Sequence, residues 1–248
     1  MVNTNPTATT WQGATPPYGG ITSASSIAYG NGLWVVIGQG SLVAISTNGI
    51  NWYAVPSSSI ANIYNNPKKV AYGNGLWVVC SGTSGIAYST SGTSWTQAES
   101  YNILNDAAGV AYGKNNLGAG LWVAVGGNGV KIAYSTNGSK WYAAPVVGTF
   151  NSGTSVAYGN GMWIATGNGG VGTSTISKST DGTNWVNATD IGGLDTASDV
   201  VYGDGKWIVA GRGSDGYSRL VTSTNGLAWS FSGYAGLGLY ALGIAFKP

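Results

Sequence analysis

The stretch Val70-Ala71-Tyr72-Gly73-Asn74-Gly75-Leu76-Trp77-Val78-Val79 decides the fold, because its pattern recurs along the chain. Its opening phrase is also found as Ile27-Ala28-Tyr29-Gly30, Val110-Ala111-Tyr112-Gly113, Val156-Ala157-Tyr158-Gly159 and Val200-Val201-Tyr202-Gly203; the five copies are spaced by 43, 40, 46 and 44 residues. A degraded sixth copy is Ile244-Ala245-Phe246-Lys247. After each good copy comes an apolar run holding one tryptophan: Trp34, Trp77, Trp122, Trp163 and Trp207. A third phrase, Ser-Thr-Asn/Ser/Asp-Gly-x-x-Trp, then ends at Trp52, Trp95, Trp141, Trp185 and Trp229. Trp11 reads as the remnant of one more, so all 11 tryptophans sit at two repeat positions. A period of this length identifies a repeat architecture before any local reading begins.

Each repeat reads as four short strands, A to D. Strand A is the Val-Ala-Tyr run. Gly73-Asn74-Gly75 and its counterparts favour a tight hairpin, since glycine and asparagine tolerate positive φ. Strand B, Leu76-Trp77-Val78-Val79, is β-branched and aromatic. Strand C is Ile86-Ala87-Tyr88-Ser89, and strand D is expected to start at the tryptophan of the third phrase. No stretch has helical periodicity with a cap. The expected fold class is therefore all-β, a single β-propeller over residues 1–248. Repeats run approximately over 26–69, 70–109, 110–155, 156–199 and 200–243, with terminal closing strands at 8–14 and 241–248. Five blades are favoured, because a two-stranded blade buries little surface. The alternative is six positions, with an incomplete last blade closed by the two termini and an open edge able to pair with a second chain. Every repeat tryptophan is expected to plug a seam between neighbouring blades.

The turn Ser179-Thr180-Asp181-Gly182-Thr183-Asn184-Trp185 resembles the Asp-box, or BNR, repeat of sialidases and related propellers. It is one residue shorter between acid and glycine than the usual box, and four copies replace the aspartate with Asn48, Ser91, Asn137 and Asn225. Tachylectin-type five-bladed lectins, which also finish on an A-like strand, are a looser parallel. The resemblance implies architecture. The sialidase activity does not carry over: that chemistry takes three arginines and a tyrosine nucleophile with a glutamate partner. This chain has two arginines, Arg212 and Arg219, and one glutamate, Glu99.

With no histidine in the chain, the commonest general base and the usual zinc sites are missing. The acids Asp106, Asp190, Asp195, Asp199, Asp204 and Asp215 are expected in loops, where two could face each other as a glycosidase pair. Calcium on Asp195 and Asp199 has no recognisable binding loop behind it. The sequence thus predicts a non-enzyme with no cofactor and no metal. An aspartate-dependent glycoside-active enzyme is the minor alternative.

Only 7 % of residues are charged and the net charge is +2. No basic stripe for nucleic acid is present, and no apolar run long enough to span a bilayer. Residues 1–20 lack the character of a secretory signal: either the chain is cytosolic when made, or it leaves the cell by another route, for example as part of a virus or phage particle. Cys80, the one cysteine, reads as a buried thiol. The A–B and C–D turns barely vary and are assigned to scaffold. The D–A and B–C connections vary, and binding residues gather on such loops. Candidate ligand-binding residues there are Tyr64, Asn65, Asn66, Tyr101, Asn102, Phe150, Asn151, Arg212, Asp215 and Tyr217. Aromatic faces beside amides suit carbohydrate or protein ligands. The leading expectation is a lectin-like or adhesion propeller; the alternative is a structural, protein-interacting module of a larger assembly.

Overall fold

A computed structural model of the chain describes residues 21–40, 43–59, 66–82, 85–99, 103–104, 106–145, 150–169, 174–234 and 244. These residues form five antiparallel A–B–C–D sets. The A strands are Ile21–Gly30, Pro67–Gly73, Asp106–Lys114, Ser152–Gly159 and Leu194–Gly203. Each pairs with a B strand: Leu33–Gly40, Leu76–Ser81, Gly120–Gly127, Met162–Asn168 or Lys206–Gly213. The C strands are Val43–Ser46, Gly85–Ser89, Ile132–Ser135, Ile176–Ser179 and Ser218–Ser223. We number the sets blades 1 to 5. Consecutive A strands lie side by side, and blades 4 and 5 are additionally joined by an Asn168–Thr196 pair. This is a propeller-like, all-β arrangement.

The hairpin between A and B forms as its residues dictate. Asn31, Asn74, Asn160 and Asp204 all have φ of 49°, each followed by a glycine with φ between 71° and 77°. Two successive left-handed residues make the tight turn that matches strand twist. It sets the register in which Tyr72 lies opposite Trp77. That pair recurs in all five blades with ring centroids 4.7–5.0 Å apart, a cross-strand contact that pins the register.

Because side chains alternate along a strand, strand B buries both faces in different seams. Trp77 and Val79 pack with Val35, Ile37 and Val43 of blade 1. Val78 and Cys80 point the other way, to Val110, Trp122 and Trp141 of blade 3. The same arrangement puts Trp163 and Trp185 between blades 3 and 4, and Trp207 and Trp229 between blades 4 and 5. These eight tryptophans of blades 2 to 5 are at most 8 % exposed, whereas Trp34 and Trp52 of blade 1 are only half-buried.

Strand D differs from expectation. In blades 1 to 4 it is two residues long, Tyr53–Ala54, Thr96–Gln97, Tyr142–Ala143 and Val186–Asn187, and begins after the tryptophan. Blade 5 alone has a long one, Ala228–Tyr234. The reason lies between blades. The tryptophan's own N–H donates to the chain leaving the previous blade: Trp95 N to Ser59 O at 3.0 Å and Trp141 N to Glu99 O at 3.2 Å. Asp190–Ile191 pairs parallel with Ala228 and Trp229 in the same way. The chain leaving blades 1, 2 and 4 is thus paired with the blade that follows.

Candidate binding face

The two ends of the propeller are chemically different. One end carries the A–B hairpins and the C–D turns together, since a Cβ added to Gly92 of a C–D turn would lie 3.0 Å from Leu33 and 3.2 Å from Val35 at the start of the neighbouring strand B. The C–D turn is tied internally. Ser135 Oγ accepts from Gly138 N at 2.8 Å, and Asn137 Oδ1 accepts from Ser139 N and Lys140 N at 3.1 and 3.0 Å. Trp141 Nε1 then donates to Gly138 O at 3.0 Å. The aspartate version behaves alike: Asp181 Oδ1 accepts from Thr183 N at 2.8 Å and Asn184 N at 2.7 Å. Burial pushes the Asp181 carboxyl up, but hydrogen bonds from Asn184, Thr183 and Ser179 outweigh it and hold the group well below its usual range. These side-chain bonds are spent on the turn itself.

At the opposite end strand A begins and strand B finishes, as in the pairs Pro67–Ser81, Asp106–Gly127, Ser152–Asn168 and Leu194–Gly213. Here Asn66 is exposed with φ of 68°, and its carbonyl accepts from Gly82 N at 3.2 Å. Lys68 and Asp106 form an ion pair at 2.5 Å between blades 2 and 3. Asn151 is exposed, with its N–H on Asn168 O at 2.8 Å.

Among the described residues on this end, the B–C hairpin of blade 5 is the most extensively tied. Arg219 Nη2 donates to Asp215 Oδ2 at 2.6 Å and Nη1 to Gly193 O at 3.0 Å, and the guanidinium lies 5.7 Å from the centre of the Phe231 ring. Arg212 Nε donates to Gly216 O at 3.1 Å. Asp215 Oδ1 accepts from Tyr217 N at 3.2 Å. The hydrogen bond from Arg219, followed by that from Tyr217 N, lowers the Asp215 carboxyl from its ordinary value. Held this way, the hairpin presents the Tyr217 ring, 60 % exposed.

Of the predicted binding residues, Arg212, Asp215 and Tyr217 share this hairpin, while Asn66 and Asn151 stand on blades 2 and 4. Tyr64, Asn65, Tyr101 and Asn102 lie outside the described residues. Phe150 is a correction. It is 1 % exposed in the seam between blades 3 and 4, and the glycines at 153 and 167 leave room for its ring. An aromatic side chain gains more from that dry seam than from the surface. The acids also need correcting: Asp106, Asp190, Asp195 and Asp199 are in strands, not loops. Asp106 is paired with Lys68, and Asp199 is buried, accepting from Ser155 Oγ at 2.6 Å. Asp204 sits in the A–B turn at the end that carries the C–D turns. Among the described residues no three acidic, cysteine or histidine side chains come together as a metal site. What the sequence reading missed was Arg219 as organiser of the loop. Its spacing of four residues from Asp215 was visible, but only the folded hairpin brings both to Gly193.

The described residues form a propeller-like all-β module, with tied C–D turns at one end and the B–C hairpin of blade 5 at the other. No family model matches the chain, and no curated protein matches its sequence. Solved structures do match in fold. YCF48 from Cyanidioschyzon merolae is similar with a TM-score of 0.56 and 14 % identity, over 83 % of this chain and 70 % of that one. YCF48 bound to D1 peptide matches with a TM-score of 0.55 and 17 % identity, over 83 % and 65 %. An ancestral GH74 enzyme matches with a TM-score of 0.64 and 18 % identity over 91 % of this chain, which spans only 32 % of that protein. At these identities the likeness is one of fold.

Proposed function

We propose that this chain is a non-catalytic binding propeller of lectin-like or adhesive type, taking a carbohydrate ligand on its loop-bearing end. The observation that carries the reading is the exposed Tyr217 on a hairpin tied by the Arg219–Asp215 pair and by Arg212 on Gly216 O. A tyrosine face stacks on sugar C–H groups while neighbouring polar groups hydrogen-bond the hydroxyls, and a pre-tied hairpin has little freedom left to lose on binding. The engaged state of Asp106, Asp199 and Asp215 supports a binding role over an aspartate-dependent enzyme.

A glycan array with multivalent display of the protein tests this, because repeated weak contacts add through avidity. A positive glycan is expected, with Tyr217→Ala weakening it about tenfold, equivalent to ~1.4 kcal/mol. An array without signal overturns the carbohydrate reading.

The second reading, a structural or protein-interacting module, is favoured by a different observation: Ile27 and Tyr29 of blade 1 are 52 % and 56 % exposed. A strictly monomeric species in light scattering, with and without candidate partner proteins, counts against it.

A further inference from the structure

The dipeptide Asn-Gly recurs in two kinds of turn. In the A–B hairpins it is Asn31-Gly32, Asn74-Gly75 and Asn160-Gly161; in the C–D turns it is Asn48-Gly49, Asn137-Gly138 and Asn225-Gly226. Asparagine before glycine is a place where a chain modifies itself. The glycine nitrogen loses its proton and attacks the asparagine Cγ; a C–N bond forms, the Cγ–Nδ2 bond breaks and ammonia leaves. Water then opens the five-membered succinimide at either carbonyl, giving aspartate or isoaspartate. Water enters and ammonia departs, with nothing oxidised or reduced. Glycine favours the step because it has no Cβ to hinder the approach of its nitrogen. Local sequence thus makes the six sites alike, and the fold separates them.

In the C–D turns both reacting groups are held. Gly49 N, Gly138 N and Gly226 N donate to the Oγ atoms of Ser46, Ser135 and Ser223 at 2.9, 2.8 and 2.9 Å, and all three serines are buried. The asparagine side chain is gripped as well: Asn48 Oδ1 accepts from Ser46 Oγ at 3.1 Å and from Ile50 N and Asn51 N, each at 2.9 Å. Those donors polarise Cγ, which favours attack. The nitrogen, however, has to leave its acceptor and give up the very proton that makes the bond, and a buried hydroxyl is then left short of a partner. Attack waits until that bond breaks, so restraint outweighs polarisation.

In the A–B hairpins the pair stands in water. Asn31, Asn74 and Asn160 are exposed, as are Gly32, Gly75 and Gly161, and a Cβ built on any of these glycines meets nothing within 4 Å. Blade 5 makes the same hairpin with Asp204-Gly205, at φ of 49° and 72°, so the aspartate product fits this turn. We propose that Asn31, Asn74 and Asn160 are sites of spontaneous deamidation in the folded protein, and that the C–D turns protect Asn48, Asn137 and Asn225 from the same reaction. Each event adds one negative charge to a chain whose formal net charge is +2, so ageing produces a ladder of charge forms.

Incubating the full chain in mildly alkaline buffer, then mapping its peptides by mass spectrometry, tests this. The hairpin asparagines are expected to convert at least about tenfold faster than those of the C–D turns, and in urea the two groups should converge. Ser135→Ala removes the acceptor of Gly138 N, so the ratio of Asn137 to Asn48 conversion should rise; Asn48 reports any general loosening of the fold. Equal native rates, or faster conversion in the C–D turns, would overturn the proposal. So would a difference that persists in urea, which traces it to local sequence, or an unchanged ratio in Ser135→Ala.

Discussion

Removing one hydroxyl from a C–D turn tests the scaffold most directly. Ser135 is fully buried, and its Oγ accepts from Gly138 N at 2.8 Å and from Asn137 N at 3.3 Å while donating to Asn137 Oδ1 at 3.1 Å. In Ser135→Ala the Gly138 N–H stays buried without an acceptor, a penalty of about 1–3 kcal/mol. Asn137 also loses the bond that aims its Oδ1 at Ser139 N and Lys140 N, and the Gly138 carbonyl that receives the Trp141 indole N–H is no longer held. A total of about 2–3 kcal/mol follows, near the upper part of the range for a lost buried bond. At about 2–4 °C per kcal/mol for a chain of this size, Tm should drop by roughly 4–12 °C. Differential scanning calorimetry measures it, with Thr136→Ala at the adjacent exposed position as the control, expected within about 0.5 kcal/mol of the parent. A Ser135→Ala protein melting with the parent would refute the claim that these turns, not just the tryptophans they deliver, hold the blades.

Gly73→Ala should be destabilising by about 1–3 kcal/mol in urea unfolding through its clash with the Tyr112 ring, and Tyr112→Ala should recover part of that loss. Asp181→Asn should leave neutral-pH stability nearly unchanged, because Asn48, Asn137 and Asn225 make the same turn bonds. Its effect is on acid behaviour: the folded Asp181 carboxyl lies below its unfolded value of 3.8. Its stabilisation is complete above that pH and is lost as pH falls toward the folded value. The parent should therefore lose more Tm than the variant on acidification below about pH 4. Cys80 is fully buried with its Sγ 3.5 Å from Gly109 O, and burial pushes its thiol up. It should be inert to a thiol reagent at pH 8 in the native protein and react fully once unfolded; rapid native labelling would contradict the packing of the second seam.

How much was legible in advance varies with the range of the interactions. Strand B could be read because Trp77-Val78-Val79 is apolar on both faces, as a strand buried between two blades has to be. The Asn-Gly turns were legible because positive φ is a local demand of the chain. Strand D starts after its tryptophan because Trp95 N and Trp141 N bond to a different blade, and no local pattern encodes a partner about 40 residues away. Phe150 is buried for a related reason. It sits in a variable connection, yet the paired glycines at 153 and 167 of its own blade leave room for its ring, and Val125 of blade 3 packs in the same cluster. Inner strands also begin before the Val-Ala-Tyr phrase, at Pro67, Asp106, Ser152 and Leu194. The residues there do not follow the Val-Ala-Tyr pattern and gain their place from neighbours, as Asp106 does from Lys68 and Leu194 and Ala197 do from the seam between blades 4 and 5.

The amino-acid order alone therefore determined the repeat, the hairpins, the turn chemistry and the absence of histidine-based catalysis, since each depends on residues within one blade or on composition. Only the tertiary structure decided which rings became seam and which stayed on the surface. It also brought Arg219 to both Asp215 and Gly193 and set Ile244 against Asp199. Those outcomes depend on which blade lies next to which, and a repeating sequence, by being alike everywhere, leaves that choice to packing.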